Sequence, residues 1–227
     1  STEDVCAVIS LGDQADTDAA VAAAKAAFTT WSMTTPAERL ALVENILKVY
    51  LSRSEDMAVA ISLEMGAPID WSRDEQVTSG DWHITNFITA FKEFKFEHPL
   101  GDHAPNDRIL HAPVGVCGLI TPWNWPMNQV ALKVIPAILA GCTMVLKPSE
   151  IAPLSSLLFA EILHDAGTPA GVFNLVNGDG LGVGTQLSAH PDVDMISFTG
   201  STRAGIAISK TASETLKRVH LELGGKG

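Results

Sequence analysis

From residue 114 onward, short continuous apolar runs alternate with longer amphipathic stretches, and this alternation constrains the fold more than any other feature. The apolar runs fall at 114–120, 143–146, 172–176, 195–198 and 218–223, and the stretches between them, near 127–139, 154–166, 181–189 and 203–216, have helical length and spacing. Strands without a polar face must be covered on both sides, which predicts an α/β fold with an open parallel sheet and helices on both faces. Ligands of such sheets bind at the carboxyl ends of the strands.

The first 93 residues read as helical. Asp16-Thr17-Asp18 offers N-cap candidates before an Ala-rich run to Phe28. Pro36 opens a second helix whose apolar face, Leu40, Val43, Ile46, Leu47, Val49 and Tyr50, continues to Met65 and ends at Gly66-Ala67-Pro68. A third helix fits Trp71 to about Phe91. Residues 94–97 and 108–111 then alternate around Gly101, Pro105 and Asn106, as two strands joined by an exposed loop would.

Charge excludes several partners. A net charge of -11 would be repelled by phosphate backbones and anionic membranes, and no basic stripe with interleaved aromatics offers a nucleic-acid surface. The longest apolar stretch, 130–146, is interrupted by Lys133 and Pro136, so no membrane span is expected. The opening Ser1-Thr2-Glu3-Asp4 lacks the basic and apolar regions of a signal peptide. Cys6, Cys117 and Cys142, odd in number and widely spaced, read as free cytosolic thiols, and the seven histidines lack metal-ligand spacing.

Four peptides at strand ends could carry chemistry. Pro122-Trp123-Asn124-Trp125-Pro126 is a stiff loop holding one amide, which either donates to an oxyanion or bonds its own turn. Lys147-Pro148-Ser149-Glu150 could address a ribose, its carboxylate repelling a 2′-phosphate, or could be a solvated loop. Two glycine-rich turns, 178–184 and 200–205, both join a strand to a helix, where an anion is favoured. The first, Gly180-Leu181-Gly182, does not complete the dinucleotide fingerprint. Glu222, flanked by Leu221 and Leu223, is either a partly desolvated general base or an edge-strand carboxylate paired with Lys226.

In this order the four peptides, Thr121 to Pro126, Lys147 to Glu150, Phe198-Thr199-Gly200-Ser201-Thr202 with Gly205, and Glu222-Leu223-Gly224-Gly225-Lys226, resemble the aldehyde dehydrogenase superfamily over nearly the whole chain. The resemblance implies a Rossmann-like NAD-binding domain over 1–227, comprising helices over 1–93, an oligomerisation hairpin over 94–112 and a dinucleotide-binding core over 113–227. Asn124 would donate to the oxyanion of a thiohemiacetal, and Glu222 would activate the thiol or the hydrolytic water. The cofactor-binding set would be Ile120, Thr121, Pro122, Trp123, Lys147, Ser149, Glu150, Gly180, Gly184, Phe198, Thr199, Gly200, Ser201, Gly205, Leu223 and Gly224. Glu150 would favour NAD, with NADP as the alternative. The family's nucleophilic cysteine follows the glutamate by a few dozen residues, in a separate catalytic domain, and none of the three cysteines here holds its place in the motif order. The implied activity is NAD-dependent aldehyde oxidation by a cytoplasmic homodimer or homotetramer, with the 227 residues alone inactive. A non-catalytic NAD-binding module and a non-hydrolytic acyl-forming enzyme are the competing expectations.

Overall fold

The computed structural model describes residues 5–225. The opening tetrapeptide, Lys226 and Gly227 lie outside the described residues, and with them the expected Glu222–Lys226 pair. Helix α1 (Gln14–Trp31) is capped by Asp13, upstream of the expected caps. The Asp13 carboxylate accepts from Ala15 and Asp16 N–H at 2.7 and 3.2 Å, and Asp16 returns the bond to Asp13 N–H at 3.0 Å. Asp16 is thus the third helical residue of a capping box rather than the cap.

Helices α2 (Pro36–Ser52) and α3 (Ser54–Met65) replace the single helix expected over 36–65. The break is at Arg53, which leaves helical geometry (φ -110°, ψ 17°) while its guanidinium binds Asp56 and Glu161. The apolar period runs straight through the break, so nothing local marks it. The third helical stretch starts earlier than expected and is not uniform. It comprises α4 (Ile69–Trp71), a π-helical turn at Ser72–Val77 and α5 (Thr78–Glu93). The hairpin strands β1 (Glu97–Pro99) and β2 (Arg108–Leu110) pair antiparallel, with Glu97 opposite Leu110. The first strand lies downstream of 94–97 because Phe94 and Phe96 stack with each other, centroids 4.8 Å apart, and Phe96 also meets Phe91 at 5.4 Å.

The rest alternates as the sequence predicts: β3 (Val116–Ile120), α6 (Pro126–Leu139), β4 (Thr143–Lys147), α7 (Leu154–Asp165), β5 (Phe173–Leu175), α8 (Thr185–Ala189), β6 (Met195–Gly200), α9 (Thr202–Ser213) and β7 (Arg218–Leu223). The five strands form one parallel sheet in the order β5-β4-β3-β6-β7. This is an α/β, Rossmann-like fold. Alternate residues feed two cores. Cys117, Leu119, Met144 and Leu146 meet α2, α5, α6 and α7 on one face, while Val116, Ile120, Val145, Ile196 and Phe198 meet α1, α8 and α9 on the other. The chain leaves β3 toward β4 and later returns to its other side as β6, so the topological switch point lies between β3 and β6.

Candidate active site

Two cavities open at the carboxyl ends of β3 and β6, one on each face of the sheet. On the α6 face, a cavity of ≈ 540 Å³ brings together Pro122, Asn124, Thr199, Gly200, Glu222, Leu223 and Gly224. On the α9 face, one of ≈ 680 Å³ brings together Ile120, Glu150, Gly180, Gly184, Phe198 and Ser201. Both volumes suit a small molecule or one end of a larger one. Of the other expected site residues, Thr121, Trp123, Lys147, Ser149 and Gly205 line neither cavity.

Asn124 is exposed at the head of α6, and its amide makes no hydrogen bond among the described residues. The loop around it is held from outside. Trp125 packs edge-on against Trp71 with centroids 5.2 Å apart, and the Asn124 carbonyl accepts from Gln76 Nε2 at 3.4 Å. The turn thus leaves its side-chain donor free to address the cavity.

Glu222 stands opposite Thr199 in the β6–β7 register, so both point to the α6 face. Of the two readings of Glu222, the described residues match the edge-strand one: β7 ends the strand order among them, and the side chain is 65% exposed, with His220 Nε2 at 3.6 Å. The buried ionisable group of this cavity is instead Lys133, which the sequence reading passed over. It is 7% exposed, donates to Ser197 Oγ at 2.9 Å, and burial pushes its pKa down to about 8, with Glu222 opposing the shift. The signal was available, since a lysine on a helix face of apolar residues must find a partner.

Lys147 is spent on its own chain. Its ammonium donates to the Gly178 carbonyl at 2.6 Å, the Pro148 carbonyl at 2.7 Å and Glu150 Oε2 at 3.3 Å, using all three hydrogens. It is 3% exposed and burial lowers its pKa, so it fastens the loop after β4 to the loop after β5 and aims Glu150 at the cavity. The glycine turn at 178–184 is a π-helical turn opened by Asp179 rather than a plain strand-to-helix turn. Ser201 caps α9 by accepting from Ala204 N–H at 3.2 Å, which sets that helix N-terminus at the cavity rim. Gly205 serves packing: a Cβ there would meet Leu223 Cδ2 at 2.6 Å, so glycine lets α9 lie close on β7.

The cavity on the α9 face can be tested for a dinucleotide from its own chemistry. An apolar wall of Ala204, Ala207 and Ile208 suits a flat base, the Glu150 carboxylate suits a pair of ribose hydroxyls, and the N-terminus of α9 suits a pyrophosphate. The residues fit. Elsewhere, Cys117 and Cys142 are buried together toward the amino ends of β3 and β4, and neither lines the Asn124–Glu222 cavity. The hydrogen bond with Cys142, and then burial, raise the Cys117 thiol, while the same contact with Cys117 lowers Cys142. Among the described residues, no three His, Cys, Asp or Glu side chains gather as a metal site would need, and no helix is long and apolar enough to cross a membrane.

Residues 1–227 match the model of the aldehyde dehydrogenase family. The chain belongs to that family. It is 52% identical over 227 residues to a 3-succinoylsemialdehyde-pyridine dehydrogenase from a Pseudomonas species, covering 100% of this chain and 47% of that protein. Among solved structures it is 65% identical to an aldehyde dehydrogenase from Bartonella henselae, with a TM-score of 0.98 over 100% of this chain and 48% of that one. It is 51% identical, with a TM-score of 0.96, to a variant of aldehyde dehydrogenase C from Pseudomonas syringae complexed with NAD+ and octanal, covering 100% of this chain and 46% of that one. The chain thus spans about half the length of the aldehyde dehydrogenases it matches.

Proposed function

We propose that the protein containing this chain oxidises an aldehyde to a carboxylic acid with NAD, and that these residues supply the cofactor site, an oxyanion donor and a general base. The observation that carries the reading is the placement of two chemically different cavities on opposite faces of one strand end. A carboxylate and a helix N-terminus face the first; Asn124 and Glu222 face the second. Bound NAD supplies a hydride acceptor at its nicotinamide. Glu150 accepts from the ribose hydroxyls and disfavours the 2′-phosphate of NADP, held in position by Lys147. The α9 N-terminus and Ser201 face the pyrophosphate. The free Asn124 amide donates to the oxygen that gains charge when a thiolate adds to the carbonyl. Glu222 takes the proton from that thiol, and later from the water that releases the acid. Membership of this family and three free cysteines support a cytosolic location, and we assign the β1–β2 hairpin to subunit assembly as a dimer or tetramer.

The test uses the full-length protein. Aldehyde-dependent NADH formation should appear on a panel of aliphatic and aromatic aldehydes, and should fall by about a hundredfold or more in Asn124→Ala, the worth of one oxyanion donor. Glu222→Gln should abolish steady-state turnover while leaving NAD binding intact. NAD binding without turnover on any aldehyde would instead make the protein a cofactor-binding module.

A further inference from the structure

The Asn124 loop rests on an irregular helix whose irregularity is itself supported. In the π-helical turn Ser72–Val77 the backbone bonds take a wider spacing than in an α-helix, and side chains bond several of its carbonyls as well. Tyr50, fully buried, donates its hydroxyl to the Val77 carbonyl at 2.9 Å. Ser79 Oγ donates to the Gln76 carbonyl at 2.7 Å and Thr78 Oγ1 to the Asp74 carbonyl at 2.6 Å. Three side chains thus hold the same turn. Its product is the position of Gln76, which is wholly buried and directs Nε2 to the Asn124 carbonyl at 3.4 Å, while its Oε1 finds no partner. Burying an amide half-satisfied is costly, and the bond it does make falls on the backbone of the residue whose side chain faces the cavity. At the start of the same helical stretch, Trp71 braces Trp125 on the other side of Asn124.

We infer that Gln76 is a positioning residue: delivered by the π-helical turn, it fixes the Asn124 backbone and so aims the Asn124 amide at the developing oxyanion. The inference rests on the proposed role of Asn124. Loss of the Gln76 donor leaves the loop in place but lets the amide wander. A displacement of an ångström at a group acting on a transition state lowers the rate by roughly tenfold to a hundredfold.

The experiment is a double-mutant cycle on kcat in the full-length protein, with NAD affinity and thermal midpoint measured alongside. Gln76→Met, of similar length and without a donor, should lower kcat by about tenfold or more with KM for aldehyde and NAD affinity little changed. In an Asn124→Ala background the same substitution should have no further effect, because Gln76 acts only through Asn124. Equal fold losses in both backgrounds, or an unchanged kcat in the single variant, would overturn the inference. An Asn124→Ala variant with wild-type kcat would instead remove the oxyanion reading beneath it. Should Gln76→Met fail to fold, Gln76→Leu, likewise without a donor, carries the same cycle. Full activity in Gln76→Leu would also count against the role.

Discussion

Lys133 Nζ lies 2.9 Å from Ser197 Oγ, joining α6 to β6 beneath the Asn124–Glu222 cavity. Burial holds the ammonium at a pKa of about 8, against an unfolded value near 10.4. Between those limits the folded state binds fewer protons than the unfolded one, so this group's contribution to stability rises with pH and its cost is fully felt below 8. That cost is on the order of 3 kcal/mol. Lys133→Met should therefore stabilise the protein at pH 7 more than at pH 10, as read from thermal melts at both values. A gain that is equal at the two values would show that Lys133 is not the source.

Glu64 of α3 caps α7 from a distance, its Oε2 accepting from Leu154 N–H at 2.5 Å and Ser155 N–H at 3.2 Å. No side chain of the preceding turn does this, since the residue at the cap is Pro153. Glu64→Ala should cost about 2 kcal/mol, the range for hydrogen bonds to a charged group, measured by denaturant unfolding. Burial raises the Glu64 pKa, so the folded state binds more protons and the stability it contributes falls as pH rises out of the carboxylate range. The stability difference between wild type and Glu64→Gln should move against wild type over that interval.

Gly80 places α5 close to α2 and α6. A Cβ there would run into the Tyr50 hydroxyl and approach Met127 Cβ at 3.3 Å. In an open helix, Gly→Ala gains about 1 kcal/mol from propensity. Here Tyr50 is fully buried and bonded to Val77, so it has nowhere to go, and overpacking of about 1–3 kcal/mol should win. Gly80→Ala should lower the thermal midpoint; a rise would mean the helices separate freely at this point.

Among the described residues, Glu150 is the carboxylate that Lys147 fastens at the rim of the α9-face cavity. On the proposed cofactor role, Glu150→Gln should remove a repulsion of a 2′-phosphate and weaken the hold on ribose hydroxyls. The ratio of kcat/KM for NADP to that for NAD should rise by about tenfold, equivalent to ~1.4 kcal/mol. An unchanged ratio would place cofactor choice elsewhere.

The elements of the sheet were legible because their signals are local. Continuous apolar runs announced buried parallel strands, and Pro36, Gly66 and the motifs at strand ends announced boundaries. Arg53 was not legible, because the apolar period continues across it and the break is fixed by partners such as Glu161, 108 residues away. For a related reason the sequence left two readings of Glu222 open: its flanking leucines do not say which strand lies at the edge of the sheet, and among the described residues β7 does.

By itself, then, the sequence determined the α/β class, the family and the order of the chemical peptides along the chain, because periodicity and motif spacing are properties of neighbours. Only the tertiary structure decided that Lys133 meets Ser197 across 64 residues, that Gln76 meets Asn124 across 48, and that Glu64 caps a helix 90 residues on. Each of these pairs is made by helix packing and parallel crossovers, which bring distant polar groups together in buried or partly buried places where they bond one another.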